Sequence, residues 1–164
     1  MKLSQVHIPG LISLGILAAI GFILIADGTG MSMFSKLVLF SRVEGVITQD
    51  GKPVAGAEII QEVLYKDAGE VPATTVASGP QGDFALEEVT HAAGLSRMLP
   101  GQVSIVQKLL IRYQGKEYEG WRHNKSSVEA NSELNGRPLK LVCELTTPPD
   151  FEGTHFGICR AAQE

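Results

Sequence analysis

Three side chains in the last quarter of the sequence have the right types to hold a metal: Cys143, His155 and Cys159. His155 and Cys159 stand in His-x3-Cys spacing, but structural zinc sites show tighter paired spacing than the distance back to Cys143 allows. The other histidines, His7, His91 and His123, are far apart in sequence. No metal or cofactor site is therefore expected. Nucleophilic chemistry has no better foothold. The sequence lacks a Gly-x-Ser-x-Gly elbow, a phosphate-cradling glycine loop and a His-Glu-x-x-His helix, and no catalytic residue is assigned. The two cysteines of the chain pair most simply with each other if it is exported, whereas in a reducing compartment Cys143 reads as a small core hydrophobe and Cys159 as a free tail thiol. A Cys143–Cys159 bridge would also tie down the tail 146–153, whose Pro148 and Pro149 predict no regular strand there.

Binding chemistry has more candidates. Trp121 is the single tryptophan of the chain and is followed by Arg122, His123, Asn124 and Lys125. Trp and Arg are the residue types that dominate protein interfaces. A lone Trp at a strand end more often closes a core, so the better contact residues here are Arg122, His123, Asn124 and Lys125. Arg97 and Met98 add a second contact candidate within 90–101. A formal net charge of -4, with basic residues scattered along the chain, argues against nucleic acid as the partner.

These residues must be positioned by strands. Period-two alternation places Val103, Ile105, Leu109, Ile111 and Tyr113 on one face, with Ser104, Lys108 and Arg112 on the other. The same rhythm puts Leu139, Leu141, Cys143 and Leu145 inward. Strands are expected near 43–49, 57–65, 73–78, 83–89, 103–113, 117–122 and 138–146, joined by turns such as Asp50-Gly51 and Gln114-Gly115. Phe34 to Phe40 fits either a turn of amphipathic helix or a strand. Three segments, 66–72, 90–101 and 123–135, break the rhythm and offer loops for recognition. The expected fold is all-β, a seven-stranded Greek-key sandwich behind an N-terminal hydrophobic helix.

That helix is expected from Ile8 to Ala26, which holds no charged residue and would span roughly 28 Å, near the hydrocarbon thickness of a bilayer. It reads as a signal anchor or signal peptide. The expected organisation is 1–30 as targeting segment, 31–146 as sandwich and 147–164 as a tail tied to it. The expected location is the periplasm, with the inner membrane engaged through 8–26 if that segment is retained. Translation from Met31 would instead leave a cytoplasmic protein.

Val43-Glu44-Gly45-Val46, Asp50-Gly51-Lys52-Pro53-Val54-Ala55-Gly56-Ala57 and Gly82-Asp83-Phe84-Ala85-Leu86 together resemble the first strands of the carboxypeptidase regulatory-like domain, a prealbumin-type sandwich. That resemblance implies a scaffold with no catalytic residues to carry over. Further segments, among them Phe34-Ser35-Lys36, Leu99-Pro100-Gly101, Asn131-Ser132-Glu133-Leu134 and Leu141-Val142-Cys143-Glu144-Leu145, are similar to an uncharacterised family of small proteobacterial sandwich proteins. By analogy with small envelope proteins of contact-dependent secretion loci, this similarity implies an immunity protein. Such a protein would be non-enzymatic and would neutralise a type VI-like toxin encoded nearby. The competing expectation is a structural envelope module that acts by protein–protein interaction. Carbohydrate binding would need an aromatic platform that one Trp and three Tyr hardly supply.

Overall fold

A computed structural model describes residues 36–69, 71–92 and 102–162, all within one compact unit, Ser32–Glu164. The hydrophobic segment expected at 8–26 lies outside the described residues. Among the described residues, no helix is long and apolar enough to cross a membrane.

The described chain is all-β with a sandwich-like build. Its strands are β1 (Lys36–Phe40), β2 (Val43–Gln49), β3 (Lys52–Pro53), β4 (Glu58–Leu64), β5 (Thr74–Ala77), β6 (Asp83–Leu86) and β7 (Val89–Ala92), followed by β8 (Ile105–Tyr113), β9 (Lys116–Lys125), β10 (Leu139–Glu144), β11 (Asp150–Glu152), β12 (His155–Gly157) and β13 (Cys159–Ala161). Each expected strand is present, but the expected count of seven is too low, because thirteen are formed among the described residues. The additional strands are short or lack clean alternation. In β1, for example, four consecutive residues are buried, so no period of two marks it in the sequence.

Two sheets carry the core. One runs β13-β10-β2-β3, with β6 also paired to β2; the β2–β10 pairing is parallel, from Val43 opposite Leu139 to Thr48 opposite Glu144. The other is six-stranded, in the order β11-β12-β9-β8-β4-β5. Val43, Ile47, Phe84, Leu86, Leu139 and Leu141 of the first sheet meet Ile59, Leu109, Ile111 and Trp121 of the second in one buried cluster. This is the packing that alternation on both inner faces dictates. A smaller cluster of Leu37, Leu39, Tyr65 and Ile105 seals the side where β1 pairs with β7.

Turn chemistry follows the sequence closely. Asp50 and Gly51 both have positive φ, as do Gln114 and Gly115, the geometry that a two-residue hairpin of right-handed strands requires. Glu144, at the end of β10, clamps the first of these turns. Its carboxylate accepts from the Asp50 amide at 2.8 Å, the Gly51 amide at 3.1 Å and the Thr48 hydroxyl at 2.9 Å. It also accepts from the Thr146 hydroxyl at 2.6 Å. The hydrogen bonds, led by the one from Thr146, outweigh desolvation and hold Glu144 down at about 2.

The C-terminal segment departs most from expectation. Pro148 and Pro149 were expected to keep 146–153 out of any strand, yet Asp150–Glu152 forms β11 and pairs with β12. The prolines precede the strand and cost it no ladder donor. Downstream, β13 pairs with β10, so the tail contributes strands to both sheets. Its entry is tight: a Cβ on Gly157 would run into the Gly120 carbonyl oxygen. Gly120 itself is the residue skipped where the β8–β9 register shifts, a bulge that makes room for the tail.

Candidate functional site

The residues expected to contact a partner are divided by the fold. Arg97 and Met98 lie outside the described residues. Trp121 is fully buried on the inner face of β9, opposite Leu109, and its ring stacks on His155 with centroids 3.8 Å apart. Lys125 is equally buried, so neither side chain reaches an external partner. The alternating pattern of β9 turns both inward, and the Trp–Arg–His–Asn–Lys run does not form one surface.

Arg122 remains exposed, but it is engaged by the chain itself. Its Nε lies 3.0 Å from Glu119, and its guanidinium covers the Phe156 ring at 5.0 Å. Half-buried His123 places Nδ1 at 2.5 Å from the Thr154 carbonyl oxygen, so that nitrogen carries the proton. The β11–β12 hairpin thus occupies much of the surface expected for a partner.

Cys143 and Cys159 are disulfide-bonded and face each other across the β10–β13 pairing. Both are fully buried. Bonded to each other, they cannot join His155 as thiolate ligands, and among the described residues no group of three or more His, Cys, Asp or Glu is arranged to hold a metal. His155 donates from Nε2 to the Cys159 carbonyl at 2.9 Å. Burial holds its pKa below the ordinary value.

A buried polar network was not anticipated. Glu133 sits in a 3-10 turn, Ser132–Leu134, and sends its carboxylate inward. There it meets Lys125 Nζ at 3.1 Å, Gln107 Nε2 at 2.7 Å and the Ser41 amide and hydroxyl at 3.1 and 2.8 Å. Burial alone would raise its pKa; hydrogen bonds from Gln107 and the backbone, the Lys125 charge and Ser41 overcome this and lower it. The network pins the 126–135 loop to Ser41 just after β1, to β8 and to β9. Gln61 on β4 has both amide atoms buried without a protein partner, as do Gln107 Oε1 and Trp121 Nε1. The sequence held one signal of this: Gln107 falls on the inward parity of Ile105, Leu109 and Ile111.

Two surface grooves lie among the described residues near these elements. One of about 540 Å³ has a mixed lining, with Arg137, Arg160, Glu152 and Thr154 beside Leu134, Ala161 and Ala162, and Arg160 is held by Glu152 at 2.9 Å. An apolar one of about 330 Å³ is lined by Leu64, Val71, Ala73 and Val106, with Glu62 and Lys108 at its margin. Beside it runs β5, an edge strand of the six-stranded sheet among the described residues.

Fold and surface together define a disulfide-stapled, all-β, sandwich-like domain. The particular family is given by comparison with family models: residues 43–148 match a domain of unknown function, DUF6795, and the chain belongs to that family. No curated protein and no solved structure matches it.

Proposed function

We propose that this chain is a non-enzymatic binding protein of the cell envelope, an immunity protein that neutralises a periplasm-acting toxin of a type VI-like secretion system encoded beside it. The observation that carries the envelope half of this reading is the fully buried Cys143–Cys159 disulfide, a bond that persists in oxidising compartments. Export would be directed by residues 8–26, leaving the protein anchored to the inner membrane or released by cleavage. A start at Met31 would leave these thiols in a reducing cytoplasm.

The binding half rests on scaffold and surface. The chain crosses from β2 to the opposite sheet and returns at β6 beside β2, which supports a Greek-key, prealbumin-like core of the seven principal strands. Phe84 lies across from Gly45 with its ring over the glycine, joining two of the segments that resemble the carboxypeptidase regulatory-like domain. A scaffold of this kind offers shape and charge and needs no chemistry of its own to occlude a partner. Arg122 and half-buried His123 remain contact candidates, as do Arg97 and Met98. The test is genetic and biochemical together. Deleting the gene should sensitise cells to the toxin encoded beside it, and the purified pair should form a stoichiometric complex.

The position of β5 at the sheet edge among the described residues favours a second reading, a structural or accessory module that joins an envelope assembly by strand addition. A resistant deletion strain whose envelope complex falls apart would support that reading.

A further inference from the structure

The buried network around Glu133 joins three groups that can react with one another when held together: a primary amine, a carboxylate and a primary amide. Lys125, Glu133 and Gln107 are each no more than 1% exposed. Gln107 and Lys125 lie on the adjacent strands β8 and β9, where Gln107 stands opposite His123 and Ile105 opposite Lys125. They are therefore diagonal neighbours on one inner face, a separation that long side chains bridge.

Glu133 sits between them. Its Oε1 accepts from Lys125 Nζ at 3.1 Å and from Gln107 Nε2 at 2.7 Å, so one oxygen touches both the amine and the amide nitrogen. The rest of the site holds these groups in place. The Ser41 amide and hydroxyl donate to the carboxylate, and the Leu39 carbonyl accepts from the same Gln107 nitrogen at 2.8 Å. The amide oxygen, Gln107 Oε1, has no protein partner.

We infer that Lys125 and Gln107 join in an intramolecular amide cross-link, with Glu133 carrying the proton between them; the ion pair is the state before reaction. Glu133 takes a proton from the Lys125 ammonium, and the free amine attacks the Gln107 amide carbon, Cδ. The Nζ–Cδ bond forms, and the Cδ–Nε2 bond breaks as Glu133 protonates Nε2. The second proton of the attacking nitrogen departs with the leaving group as ammonium. Glu133 ends as it began, a carboxylate, and no oxidant or cofactor is consumed. An unactivated amide reacts slowly in water, and here fixed neighbours, an adjacent base and the exclusion of water lower that barrier. The step also discharges a buried lysine whose desolvation is costly, and loss of ammonium to solvent makes it one-way. The cross-link does not rest on the immunity reading.

The test is the mass of the folded, purified chain after reduction and denaturation, compared with the sequence read from its observed N-terminus. The cross-linked chain is lighter by one ammonia, about 17 Da. Its tryptic digest should contain 98–108 joined to 123–140 through Gln107 and Lys125, because the modified lysine is no longer cleaved. Lys125→Arg, which keeps the charge without the nucleophile, and Glu133→Gln should each show the full mass and no joined peptide. Full mass in the folded parent overturns the inference. The same loss without the joined peptide also overturns it, in favour of a succinimide at Asn135-Gly136, and a loss of about 18 Da, one water, would place the bond on Glu133 instead. A folded Glu133→Gln chain that still carries the bond would overturn the proton-carrying role. Where that variant does not fold, Glu133→Asp decides the point: its shorter carboxylate should leave a measurable fraction unreacted, and complete reaction at the parental rate would overturn the role.

Discussion

At the residue scale, the fold uses its most conspicuous polar side chains internally. Lys125 and Glu133 form an ion pair with side-chain exposures of 1% and 0%, and such a pair is costly to break, since the remaining charge stays buried alone. Lys125→Met should therefore lower unfolding stability by about 3–5 kcal/mol in urea titrations. Adding Glu133→Gln should restore part of the loss, because Gln can still accept from Ser41 without a charge. A single variant within about 0.5 kcal/mol of the parent would show that the pair does not hold the loop. Gln61 makes the opposite prediction. Both its amide atoms lack partners, so Gln61→Met, similar in volume, should raise stability by about 1 kcal/mol; a fall would mean that ordered water already satisfies the amide. Parity along β8 made Gln107 legible as an inward residue, and alternation along β9 could have shown Trp121 and Lys125 to be inward together. The role of Glu133 was not legible, because its partners Ser41 and Gln107 are brought to it only by tertiary packing.

At the element scale, the strands with clean alternation and glycine turns were readable, since period two and positive φ are local properties. The C-terminal strands were not. Each has three residues, too few for a period, and they exist because neighbouring strands and the disulfide give them a ladder to join. Replacing Cys143 and Cys159 by Ala should cost about 3 kcal/mol in the loop-entropy view for their separation of 16 residues. Hydrogen exchange should then rise first in β12 and β13. Unchanged protection there would show that the tail is held by its own pairing. Gly157→Ala should disturb the same region with the disulfide intact, since the added Cβ meets the Gly120 carbonyl; wild-type exchange in β12 would contradict this close approach.

At the scale of the whole molecule, acid should be the condition the fold tolerates least. His155, Glu133 and Glu144 all have pKa values depressed by folding, so each binds protons more readily when unfolded. Each therefore stabilises the native state fully above its ordinary value and loses that contribution as pH falls through its folded value. The melting temperature should decline first as pH drops below about 6.5 with His155, then again below about 4.5 with the two glutamates, the Glu144 part extending to about 2. Glu144→Gln should flatten the second decline, and an unchanged profile would contradict the clamp at the β2–β3 turn. Composition and charge at this scale argue against nucleic acid as the partner, but no residue pattern could name one. Shape, edge and disulfide carry the functional reading. It is tested most directly by challenging a strain lacking this gene with the toxin encoded beside it and complementing with the intact chain. The account predicts killing of the deletion strain and rescue by the wild-type chain, together with a stoichiometric complex between chain and toxin. Full resistance of the deletion strain, with no complex formed by the purified pair, would contradict it.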